Sequence, residues 1–265
     1  MGAIPSPKKS LGQHWLNDEV TLNIICDLAD LSSTDMVLEI GPGLGSLTKL
    51  LVERAGQVIA VEIDSNLSRQ LSTFIHADNL TVVNDSILKF DLSKLPVGYK
   101  LVANIPYYLT SNLLRLLSES NNPPKLIVLL VQKEVAERVA ADAGAMSLLS
   151  VTTQYFWEIS LELVVPAALF TPPPKVDSQV ILLRRRAGQL FPEIDEKSFF
   201  RLVKVGFSAR RKTLLNSIAN GMRIDKEVIS AVLEESKIDP NTRPQMLNLN
   251  DWYEIYKVCL AKKLI

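Results

Sequence analysis

The 265-residue chain is poor in cysteine and aromatic residues, and its formal net charge is zero. Its two cysteines, Cys26 and Cys259, are far apart in the sequence and match no metal-binding spacing. This excludes a disulfide framework and a cysteine-based zinc site, so we expect two buried free thiols and no metal. Free thiols fit a reducing compartment.

Long apolar segments are also missing. The longest strongly apolar run, 126–131, is far too short to span a bilayer, and the first ten residues lack the apolar core of a signal peptide. Hydrophobic residues still make up 47% of the chain, which is enough for a sizeable buried core. We therefore expect a soluble, cytoplasmic protein with no membrane partner, and a monomer by default.

The zero net charge conceals an uneven distribution. The segment 184–223 holds ten basic and three acidic residues, a local net charge of +7 in a neutral chain. A basic face of this kind is typical of a surface that contacts nucleic acid, although solvated helix faces are the alternative.

The pattern of segments predicts an α/β fold followed by a helical region. Apolar, β-branched runs alternate with helical patterns up to residue 142, which favours a mostly parallel sheet covered on both faces. The predicted strands are 36–40, 57–63, 80–84, 100–104 and 125–131, with helices at 46–55, 65–76, 111–119 and 133–142. Two further strands, 158–165 and 176–184, are expected to form an antiparallel pair at the sheet edge.

After Arg186 the pattern is helical alone, with predicted helices at 196–207, 211–219, 225–235 and 249–262. We therefore expect two domains, 1–186 and 187–265, and a small all-α C-terminal domain that binds RNA.

A glycine-rich turn follows the first predicted strand of the sheet. The sequence E-I-G-P-G-L-G occupies 39–45, and its spacing departs from the G-x-G-x-x-G that holds a pyrophosphate. The variant suits a ligand without phosphate, such as a methionine-bearing nucleoside. Glu62 ends the next strand and can accept both ribose hydroxyls, while Asp85 follows the third strand and can accept from an adenine amine. Ordinary tight turns and exposed strand ends remain the alternative.

The residues N-I-P-Y at 104–107 close the fourth strand of the sheet and indicate the chemistry. An adenine amine is a poor nucleophile because its lone pair is delocalised into the ring. The Asn104 side-chain oxygen, together with a backbone carbonyl held by Pro106, can accept both amine hydrogens and aim the lone pair at a methyl donor. Tyr107 can stack on a flipped-out base.

These motifs resemble the ribosomal RNA adenine dimethyltransferases of the KsgA type, which are related to the Erm resistance methylases. The resemblance covers nearly the whole chain. It includes the segments K-S-L-G-Q-H-W-L at 9–16, E-I-G-P-G-L-G at 39–45, N-I-P-Y at 104–107, F-T-P-P-P-K-V-D-S at 170–178 and G-F-S-A-R-R-K-T-L at 206–214.

The resemblance implies a Rossmann-like methyltransferase domain with a seven-stranded sheet and an amino-terminal segment that caps S-adenosylmethionine. The implied cofactor contacts are His14, Leu16, Gly41, Gly43, Glu62, Ile63, Asp85, Ser86 and Asn104. The implied catalytic residues are Asn104, Pro106, Tyr107 and Phe170, with the target adenine stacked between Tyr107 and Phe170. The implied RNA contacts are Arg210, Arg211 and Lys212.

The roles of His14 and Phe170 stay open. Many relatives have Asn and Phe where this chain has His14 and Trp15. The His14 side chain can donate to the methionine carboxylate, or it can simply flank a helix. Phe170 lies in a proline-stiffened loop and, judged from the residues alone, can equally be a core residue.

The implied substrate is a pair of adjacent adenosines in a hairpin loop near the 3′ end of small-subunit rRNA, within a pre-ribosomal 30S-type particle. Each adenosine is expected to be methylated twice during small-subunit biogenesis. The alternatives are an Erm-like enzyme for large-subunit rRNA, a non-catalytic nucleic-acid-binding factor on the same fold, and a small-molecule methyltransferase. The 104–111 and 172–178 segments favour the small-subunit type.

Overall fold

The computed structural model describes residues 6–8, 11–191, 193–209 and 211–265, which form nine β-strands and ten α-helices. The strands are β1 (Trp15–Leu16), β2 (Met36–Ile40), β3 (Gln57–Glu62), β4 (Leu80–Asn84), β5 (Lys100–Asn104), β6 (Leu126–Gln132), β7 (Trp157–Val165), β8 (Phe170–Thr171) and β9 (Ser178–Arg185). The helices are α1 (Glu19–Leu28), α2 (Ser46–Arg54), α3 (Ser65–Phe74), α4 (Thr110–Glu119), α5 (Lys133–Val139), α6 (Leu148–Phe156), α7 (Glu196–Gly206), α8 (Leu214–Met222), α9 (Lys226–Glu235) and α10 (Leu249–Ala261).

Seven strands form one sheet in the order β4-β3-β2-β5-β6-β9-β7. The strands β2 to β6 are parallel, whereas β9 is antiparallel to both β6 and β7. This confirms the mostly parallel seven-stranded sheet and the antiparallel pair at its edge. The chain order reverses between β2 and β5, and ligands bind outside the carboxyl ends of the strands at such a switch point.

Burial explains why the sequence of β6 is a nearly continuous apolar run. Its first six residues are buried because both faces of the central sheet are covered. The edge strand β7 instead leaves most of its side chains partly or fully exposed.

A short ribbon that the sequence did not predict joins two distant segments. β1 pairs antiparallel with β8, with Trp15 opposite Thr171 and Leu16 opposite Phe170. The ribbon fixes the amino-terminal segment against the proline-rich loop.

The start of helix α2 depends on a glycine. Gly45 caps the helix with φ +82°, and a Cβ there would lie 2.6 Å from Leu71 Cδ1 and 2.8 Å from Ile75 Cδ1. A side chain at this position would therefore collide with helix α3, so the glycine is required by packing as well as by its backbone.

The helix predicted at 211–219 was placed too early. It begins at Leu214, and the Thr213 hydroxyl caps it by accepting a hydrogen bond from the Asn216 amide. Threonine is a preferred capping residue, so Arg211 and Lys212 precede the helix rather than belong to it.

The chain divides into two compact units. The first holds the described residues up to Glu137 together with Trp157–Arg185, and the second holds Arg138–Phe156 with Arg186–Ile265. Helix α6, which the sequence did not predict, therefore packs with the C-terminal helices. The predicted boundary at residue 186 instead placed this segment in the first domain. The Tyr155 ring explains this packing, because its centroid lies 5.1 Å from that of Phe200 and 5.7 Å from that of Phe199.

Candidate active site

A cavity of about 210 Å³ lies in the first unit, at the carboxyl ends of β2 to β5. Every residue predicted to contact the cofactor or to act in catalysis lines it. They are His14, Leu16, Gly41, Gly43, Glu62, Ile63, Asp85, Ser86, Asn104, Pro106, Tyr107 and Phe170. The sequence motifs are therefore brought together in one place.

The glycine turn is held closely against its neighbours. The Gly41 amide donates to the Val61 carbonyl at 2.9 Å, and Gly41 and Gly43 have φ values of +63° and +57°. A Cβ on Gly43 would lie 3.3 Å from Trp15 Cδ1, so the indole packs directly on the turn. Glycine is required here by both the backbone and the close approach of Trp15.

The buried Glu62 carboxylate is held in one orientation by two backbone amides. Its Oε1 accepts from the Asp64 amide at 2.8 Å, and its Oε2 accepts from the Gly43 amide at 3.2 Å. Burial raises the pKa of Glu62 above its usual range, although these two hydrogen bonds act in the opposite direction. Each oxygen keeps a lone pair, so the group can still accept hydroxyl hydrogens.

Glu39 is a second buried acid, to which the sequence assigned no role. It lines the cavity with 1% of its surface exposed, and its Oε2 has no hydrogen-bond partner among the described residues. Burial, reinforced by the nearby charge of Glu62, raises the pKa of Glu39 to about 8. The one sequence feature that could have indicated a role for Glu39 is its position two residues before Gly41.

Asp85 and Ile63 lie at the more open side of the cavity. The Asp85 amide donates to the Glu62 carbonyl at 3.2 Å, and its Oδ1 accepts from the Ser86 amide at 2.7 Å. The exposed carboxylate therefore keeps acceptor capacity. Ile63 presents an exposed apolar side chain beside it.

Asn104 ends β5, and its side-chain amide makes no hydrogen bond to the part of the chain that the structure describes. The Pro106 carbonyl accepts from the Leu109 amide at 3.0 Å, which leaves one lone pair. A Cβ on Gly41 would lie 3.7 Å from Pro106 Cδ, so this turn and the glycine turn are adjacent.

The Tyr107 ring is fixed from two sides. Its hydroxyl lies 2.8 Å from the buried Ser178 Oγ, and the His14 ring stacks near it with centroids 5.8 Å apart and planes 18° apart. His14 Nδ1 lies 2.7 Å from the Pro172 carbonyl oxygen, which accepts a hydrogen bond if Nδ1 carries a hydrogen. Nε2 can then donate to a carboxylate only from the imidazolium form.

Phe170 lies at the cavity wall but is only 3% exposed. Its side chain belongs to the hydrophobic core with Leu16 and Val180. Packing therefore supports the reading of Phe170 as a core residue, and its role in base stacking stays a prediction.

The amino-terminal segment is tied to the start of helix α3 through Asp64. Lys8 Nζ lies 2.7 Å from the Asp64 carboxylate, and Gln13 Nε2 lies 3.5 Å from the same oxygen. Burial alone would raise the pKa of Asp64, but the hydrogen bond and charge of Lys8 lead the effects that lower it. The segment from Leu11 to Leu16 lines the cavity, which fits its predicted capping role.

The predicted RNA contacts lie in the second unit. Arg211 and Lys212 are exposed, while Arg210 lies outside the described residues. Helix α7 adds Lys197, Arg201 and Lys204, all exposed and spaced by four and three residues. That spacing places the three cations on one face of the helix.

The described residues contain no group of three or more His, Cys, Asp or Glu side chains placed to hold a metal ion. None of the helices in this part of the chain is long and apolar enough to cross a membrane. Cys26 and Cys259 are buried free thiols, as expected.

Residues 5–259 match the family model described as ribosomal RNA adenine dimethylase. The ribosomal RNA small subunit methyltransferase A of Dehalococcoides mccartyi is 42% identical over 249 residues, covering 92% of this chain and 86% of that protein. A dimethyladenosine transferase from Plasmodium falciparum is similar in structure, with a TM-score of 0.81 and 28% identity over 94% of this chain and 98% of its own. The 23S rRNA methyltransferase ErmE has a TM-score of 0.76 at 28% identity, covering 92% and 98% of the two chains. The chain belongs to the ribosomal RNA adenine dimethylase family.

Proposed function

We propose that this chain dimethylates the exocyclic amines of two adjacent adenosines in a hairpin loop near the 3′ end of small-subunit rRNA. It acts with S-adenosylmethionine as a cytoplasmic monomer, on a pre-ribosomal small-subunit particle during biogenesis. The observation that carries the proposal is the Asn104 amide, which lies on the cavity wall beside the glycine turn with its hydrogen-bonding capacity unused by the described residues.

The cavity residues fit S-adenosylmethionine, which supplies a methyl group on a positively charged sulfur. Glu39 offers a buried acid with an unpartnered oxygen, and a cationic ligand beside it would favour the charged form that burial disfavours. Glu62 offers acceptors for ribose hydroxyls, and Asp85 offers one for an adenine amine. The exposed Ile63 offers an apolar surface for a purine ring.

Asn104 and Pro106 prepare the target amine. The Asn104 side-chain oxygen accepts one amine hydrogen, and the free lone pair of the Pro106 carbonyl accepts the other. Two acceptors localise the nitrogen lone pair, so the amine becomes a better nucleophile without a strong base. The turn that holds both groups is rigid, which contributes through positioning.

Tyr107 holds the target base by stacking. Its hydroxyl is engaged by Ser178, so the ring face is presented in a fixed orientation. Phe170 supports the opposite wall from within the core.

The second unit supplies the RNA contacts. Arg211 and Lys212, with the basic face of helix α7, neutralise phosphates around the hairpin, and Arg210 extends the same basic segment. Such contacts position the RNA without reading its sequence.

An Erm-like activity on large-subunit rRNA is the second candidate, because ErmE has the same fold at 28% identity. Relatives named small subunit methyltransferase A are more similar in sequence, at 42% identity, and favour the small-subunit substrate.

Incubation with labelled S-adenosylmethionine and unmethylated small-subunit particles tests the proposal, with large-subunit particles as the matched control. We expect N6,N6-dimethyladenosine in nucleosides from the small-subunit particles alone. Label in large-subunit rRNA would favour the Erm-like activity, and no labelled adenosine in either sample would refute the proposal.

A further inference from the structure

A second tyrosine stands at the mouth of the cavity. Tyr108 follows Tyr107 directly and lines the same cavity, but it is 58% exposed, whereas Tyr107 is half-buried. A large ring left open to solvent beside a binding cavity is available to a ligand that enters there.

The Tyr108 ring is supported on one side by the amino-terminal segment. A Cβ on Gly12 would lie 3.5 Å and 3.6 Å from two ring carbons, so the glycine backbone packs against the ring. Gly12 has φ +59°, a conformation that glycine adopts without strain.

The Tyr108 hydroxyl takes no part in this support, because it makes no hydrogen bond to any described residue. The ring is therefore held through its apolar atoms, and its exposed surface is free to stack.

The chemistry of the surface favours a nucleobase. Aromatic side chains stack on bases with about 1–3 kcal/mol per base, and this needs no matching hydrogen bonds. The nucleotides next to a flipped-out base remain at the mouth of the pocket that receives it. In the proposed substrate one of these neighbours is the second adenosine.

We propose that Tyr108 is a stacking subsite for the purine adjacent to the target, which holds the second adenosine while the first occupies the cavity. This inference rests on the proposed function. It makes Tyr108 a determinant of particle affinity, whereas Asn104 acts on the transfer step.

Kinetics with unmethylated small-subunit particles test this subsite through four variants. We expect Tyr108→Ala and Tyr108→Leu to raise the KM for particles about 10-fold, because both remove the aromatic face. The changes in kcat and in the affinity for S-adenosylmethionine should both be smaller than the change in this KM. Tyr108→Phe restores the ring and should recover the KM. Phe74→Ala is the matched control, since Phe74 is 63% exposed on α3 but does not line the cavity.

The result separates the two proposals. If wild-type protein makes dimethyladenosine while Tyr108→Ala and Tyr108→Leu keep the KM of Tyr108→Phe, the stacking subsite is overturned and the proposed function stands. If wild-type protein makes none, the proposed function fails and the subsite fails with it.

Discussion

The Tyr107 hydroxyl and the Ser178 hydroxyl lie 2.8 Å apart, joining the turn after β5 to the first residue of β9. Ser178 is fully buried and is not among the residues that line the cavity. The contact sets the direction of the Tyr107 ring from a strand that carries none of the predicted site residues. Ser178 is thus a positioning residue for the aromatic ring that is proposed to stack on the target base.

Removing either hydroxyl should slow methyl transfer by a similar amount. Ser178→Ala and Tyr107→Phe each lose one hydrogen bond, worth about 1 kcal/mol, so we expect roughly a 5-fold fall in the single-turnover rate. The double variant should be no slower than either single variant, because both remove the same interaction. Cofactor affinity should be unaffected. Additive losses in the double variant would show that the two hydroxyls act separately.

The sequence predicted the strands well, and it also predicted that the candidate site residues lie together at the strand ends, because both depend on local signals. The apolar run of β6 and the glycines at 41–45 are readable without tertiary information. The two-residue strands β1 and β8 are too short to show any periodicity. The sequence therefore could not predict the ribbon that packs Trp15 against Gly43.

Helix α6 was missed for a different reason. Its sequence includes Val151, Thr152 and Thr153, which have β-branched side chains that favour strands. Packing of the Tyr155 ring among the phenylalanines of the second unit overrides that preference. Ser178 ends the F-T-P-P-P-K-V-D-S segment at 170–178, but the segment does not indicate that its partner is the Tyr107 hydroxyl, which lies 71 residues earlier in the chain.

Glu39 should make the stability of the empty protein depend on pH. Its pKa in the folded protein is about 8, above its ordinary value of 4.5, so folding retains a proton that the unfolded chain releases. The free energy of unfolding therefore falls as pH rises from about 4.5 to 8. Glu39→Gln removes this dependence, so the free energy of unfolding of the variant relative to wild type should increase by roughly 3–4 kcal/mol between pH 5 and pH 8.

Denaturant unfolding of wild type and Glu39→Gln at pH 5 and pH 8 measures this difference. Glu53→Gln, an exposed carboxyl on helix α2, is the matched control and should show no such trend. A constant difference between Glu39→Gln and wild type across the two pH values would contradict the assignment.

Charge reversal at Arg211 and Lys212 should weaken RNA binding and reduce its dependence on salt. Each phosphate contact contributes about 0.9 to the slope of log K against log salt, so Arg211→Glu with Lys212→Glu should make the slope shallower by about 2. Filter binding of small-subunit rRNA over a range of salt concentrations measures it. Lys49→Glu with Lys94→Glu changes the same charge on exposed lysines of the first unit and should leave the slope nearer to wild type. Equal slopes in the two double variants would contradict the proposed phosphate contacts of Arg211 and Lys212.

The most direct test of the account is the single-turnover rate of Asn104→Ala with unmethylated small-subunit particles, measured alongside its affinity for S-adenosylmethionine. We expect the rate to fall by on the order of 100-fold or more, because the amine loses an acceptor needed in the transition state, while cofactor affinity weakens only modestly. Transfer at the wild-type rate would contradict the role given to the Asn104 amide, and with it the proposed chemistry of the site.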